Sequence, residues 1–143
     1  MRFSCMSEPD NTQEGLRWLR FSHEDLAAAQ AMASDDQAQP RHVCWLSQQA
    51  AEKSVKALLV IHGVDFPRSH DLDFLSRLLP TNVGMEFLVA DLDLLTEWAV
   101  EARYPGDWPE AGPEDAARAL SEAMKVVRRA EAYFHPRPPD PRV

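Results

Sequence analysis

Apolar residues recur at intervals of three and four along most of this chain and nowhere alternate over the length of a strand, so the pattern predicts helices alone. The spacing predicts five, at residues 12–33, 40–62, 70–79 and 83–104, with the last starting at Pro113. The first gathers Trp18, Leu19, Ser22, Leu26 and Ala29 on one arc. Pro40 suits a first helical turn and Gly63 a stop, and between them Cys44, Ala51, Val55, Leu58 and Ile61 form the apolar face of the second. Its opposite face carries Gln49, Glu52, Lys53 and Lys56. Ser69 is placed to cap the third helix and Pro80 to end it. The fourth shows Phe87, Leu88, Leu94, Leu95 and Trp98 on one arc, and the fifth shows Ala116, Leu120, Ala123, Val127 and Ala130.

Amphipathic helices of this length bury their stripes against one another, so the expected fold is all-α: an antiparallel, up-and-down bundle of four to five helices. The 143 residues suffice for one domain with its own core. Residues 1–13 read as a loose leader, 14–135 as the bundle and 136–143 as a proline-rich tail. Trp45 and Val60 are large for a solvated helix face. Either lysine stems and a neighbouring helix cover them, or a second copy of the chain does.

Composition narrows the functions. A formal net charge of −8 excludes a passive, charge-driven coat on nucleic acid, though not a local basic site. Two cysteines, Cys5 and Cys44, make no disulfide framework, which fits a reducing cytoplasm. No apolar run approaches the roughly 20 residues of a membrane span. The first residues are too few and too polar for a signal peptide. Neither a phosphate-cradling glycine loop nor a zinc-like Cys/His pairing is present, so no metal or cofactor is expected.

Candidate chemistry collects on helices two to four. Gln49, Glu52, Lys53 and Lys56 share a face whose ammonium groups suit an anion, or form an ordinary i,i+4 ion pair. Arg68 and His70 flank the start of helix three, where unpaired N–H groups favour negative charge. Arg103, Tyr104 and Pro105 end helix four, and the loop beyond carries Trp108. Asp25 and Asp91 fall beside or within apolar arcs, so each needs a partner, with Arg103, Lys53 and His70 as candidates.

Three segments, Gln48-Gln49-Ala50-Ala51-Glu52-Lys53-Ser54-Val55-Lys56-Ala57-Leu58-Leu59, then Ser69-His70-Asp71-Leu72, then Arg103-Tyr104-Pro105, stand in an order and at separations that resemble the HEPN family of small helical domains. The resemblance runs from about Leu16 to Tyr133. It implies a helical bundle that forms homodimers or pairs with a partner protein. Many HEPN proteins are metal-independent ribonucleases that use an Arg followed after four to six residues by a His. Here Trp108, Pro109 and Glu110 stand where that His would follow Arg103. Similar spacings occur from Arg17 to His23 and from Arg128 or Arg129 to His135.

Two functions of different class follow. One is a non-catalytic nucleotide- or partner-binding subunit, resembling HEPN proteins that act with a minimal nucleotidyltransferase in toxin–antitoxin-like systems. Its binding residues would be Trp45, Gln49, Lys53, Lys56, Arg68, His70, Arg103 and Tyr104, with cations on phosphate and Trp45 or Tyr104 stacked on a base. Tyr104 and Tyr133 are then sites that a partner could modify. The other is a ribonuclease toxin acting as a dimer, with His70 and Arg103 as catalytic candidates.

Overall fold

The computed structural model describes residues 8–99, 105–135 and 142, and among them every regular element is helical. The elements are α1 (Glu8–Ala33), α2 (Pro40–Ile61), α3 (Leu72–Arg77), α4 (Thr81–Gly84), a 3-10 helix (Met85–Val89), α5 (Leu92–Glu97) and α6 (Pro113–Phe134). The three long helices make the bundle, and the short ones belong to the crossover between α2 and α6.

α1 begins at Glu8, inside the span expected to be a loose leader, with Pro9 in the first turn where a missing N–H costs little. It packs antiparallel to α2. Ser22 Oγ donates to the Ala50 carbonyl at 2.6 Å, and Asn11, at the start of α1, lies near Gly63, just past the end of α2. At Gly15 the backbones approach so closely that a Cβ would collide with Ile61 Cγ2. α6 also runs against α1, with His23 Nε2 3.8 Å from Glu131 Oε1. It therefore runs parallel to α2, and the ends match: His62 packs edge-on to Tyr133 with ring centroids 6.1 Å apart.

Local chemistry sets the boundaries. Pro40 opens α2, and Gly63, at φ +66°, closes it in the left-handed region that favours glycine. At α6, Pro113 follows Gly112, whose N–H donates to Asp115 Oδ2 at 2.8 Å. α3 begins later than expected. Asp71 is its cap, accepting from Phe74 N–H at 3.1 Å, while Ser69 Oγ accepts from Asp71 N–H and shapes the turn before it.

The expected helix over 83–104 is not continuous. Thr81–Gly84 gives way to the 3-10 helix, Ala90 is extended, and α5 starts afresh at Leu92. The cause is Asp91. Its carboxylate caps α5 by accepting from Leu94 N–H at 3.1 Å and meets Arg118 at 3.1 Å, and its own N–H donates to Glu122 Oε2 at 2.8 Å. Asp91 is thus no carboxylate lost in a core: among the described residues its partner is Arg118 rather than Lys53 or His70, and Arg103 lies outside the described residues. The break also removes Leu88 from the apolar arc, whereas Phe87 stays fully buried.

α2 is the central element, flanked by α1, by α6 and by the crossover. Val43, Cys44, Val55, Leu58, Leu59 and Val60 are all buried, so Val60 is covered within the chain. Trp45 is half-buried and packed on the same core. No helix among the described residues is long and apolar enough to cross a membrane.

Candidate functional site

The face of α2 that sequence periodicity assigns to solvent is enclosed. Gln48 is fully buried, Glu52 is 4% exposed and Lys56 is 8% exposed. Residues 62–71 fold back over them. Phe66, buried, and Trp18 from α1 meet edge-on at 6.3 Å and cover the Lys56 ammonium, whose Nζ lies 5.7 and 5.8 Å from their ring centres.

Beneath that cover Glu52 joins three partners. Its Oε1 accepts from Gln48 Nε2 at 3.0 Å and from His70 Nδ1 at 2.7 Å, and its Oε2 accepts from Lys56 Nζ at 3.1 Å. A carboxylate oxygen only accepts, so the His70 proton sits on Nδ1. Gln49 extends the chain, donating from Nε2 to Gln48 Oε1 at 2.7 Å. Burying a charge is costly unless it is paired and hydrogen-bonded, and here both conditions are met.

Of the residues predicted for binding, this network unites Gln49, Lys56 and His70. Lys53 points elsewhere, to Asp25 of α1 at 2.5 Å, which answers the need that sequence assigned to Asp25. Arg68 is exposed and makes no ion pair with a described residue. Arg103 and Tyr104 lie outside the described residues. Glu52 was visible as a face residue but not as the centre of a site. Gln48, Trp18 and Phe66 were missed. A signal existed in the i, i+4, i+8 stripe of Gln48, Glu52 and Lys56, and in a lone Phe within a polar loop.

Two further titratable groups, Cys44 and Tyr133, are shifted by their surroundings. Burial, seconded by the Asp115 carboxylate, pushes the Cys44 thiol up to about 12, which denies it a nucleophile's ionisation. Burial and a hydrogen bond to Glu86 raise Tyr133 above the usual phenol range. Arg17 lies 4.0 Å from Glu14, and His23, six residues on, is about 240° further round the helix beside Glu131. His23 and His135 line one shallow groove with Leu16, Leu19, Arg20, Glu24 and Ala27. No cluster able to hold a metal is present among the described residues.

These features locate the chain among known proteins. The sequence profile of the HEPN domain matches residues 16–133. The chain belongs to the HEPN family. It is similar to TT1696 from Thermus thermophilus, at 25% identity and a TM-score of 0.72, covering 82% of this chain and 95% of that one. It is also similar to ST0689, an archaeal HEPN homologue, at 25% identity and a TM-score of 0.62, covering 84% and 97%. No curated protein matches.

Proposed function

We propose that this HEPN protein is a non-catalytic binding subunit that acts, as a homodimer, with a minimal nucleotidyltransferase in a toxin–antitoxin-like system, and that its ligand is a protein rather than a nucleotide. The carrying observation is the state of its two α2 lysines. Lys53 is paired with Asp25, and Lys56 is held by Glu52 beneath Trp18 and Phe66. An anion would have to displace a carboxylate already in place and open an aromatic cover, so phosphate capture on this face is disfavoured. The absence of a His in the expected places after Arg103 supports a non-catalytic role.

A ribonuclease is the second reading, favoured by one contact. Glu52 orients His70 through Nδ1 and leaves the other ring nitrogen on a side chain 47% exposed, an arrangement shared by many general bases. The test is incubation of the purified protein with total RNA in EDTA, beside His70→Ala, Arg103→Ala and His135→Ala variants. Intact RNA at high protein concentration is the expected result. Cleavage that one of these variants abolishes overturns the binding-subunit reading.

A further inference from the structure

We draw no further inference here: the strongest candidate, the exposed apolar strip of Met85, Leu88 and Val89 on the 3-10 helix that packs on α4 and α6, carries nothing because nothing in the structure shows what covers it.

Discussion

Glu52 carries its charge into the interior only because three donors reach it from three directions. Gln48 and Lys56 come from its own helix, one turn to either side, and His70 comes from the segment of chain that closes over them. Removing one partner of a buried pair leaves the other uncompensated, which is costlier than the pair itself was favourable. Glu52→Ala should therefore destabilise the fold by about 3–5 kcal/mol, because it strands Lys56 beneath Trp18 and Phe66. His70→Ala removes a half-exposed partner and should cost about 1–2 kcal/mol. Urea denaturation of the two variants checks the order, and equal losses would show that Glu52 is not the centre. Lys53 and Asp25 form a separate pair at the margin of this network.

Among the elements, the crossover shows best what a periodic pattern conveys. The starts and stops at Pro40, Gly63 and Pro113 are legible because proline and glycine act through their own backbones, whatever surrounds them. The break at Asp91 is not legible in that way. Phe87, Leu94, Leu95 and Trp98 continue a helical spacing across it, and the cap that interrupts them depends on Arg118 and Glu122, some thirty residues away. Asp91→Ala removes the cap and the Arg118 contact together and should cost about 1–2 kcal/mol by thermal denaturation. Glu122, which anchors the Asp91 N–H, titrates with the fold. Burial works to raise it, but hydrogen bonds from Lys125 and the Asp91 N–H prevail and hold its carboxyl below the ordinary 4.5. Its stabilising effect is therefore present above 4.5 and is lost as pH falls through the lowered folded value. The deficit of Glu122→Gln relative to the natural protein should be full at neutral pH and vanish in acid. A deficit that persists in acid would place its cause elsewhere.

At the scale of the molecule, the bundle was legible because each long helix has one apolar arc, and arcs bury themselves. The state of the site was not, because periodicity tells two helix faces apart without saying what covers either. Gln49, Lys56 and His70 were identified as neighbours in function, yet Glu52 gathers them under a loop whose approach depends on Phe66 and Trp18. Cys44 provides a check on the whole enclosure. Its thiol is raised from 9.0 to about 12, so stability is whole below pH 9 and declines as the medium becomes more alkaline toward 12. Thiol reagents at neutral pH should label Cys44 only when the bundle opens, at a rate that follows global unfolding as urea is added. Fast labelling in native buffer would show that α2 is reached by a local opening. The central position of α2 also bears on how the protein is made. Its last flank, α6, is the third of the bundle's three long helices to be synthesised, so a nascent chain that has not reached Pro113 holds out an unfinished apolar surface. A chain halted there would leave the α6-facing side of α2 open to chaperones and proteases until the last flank is added.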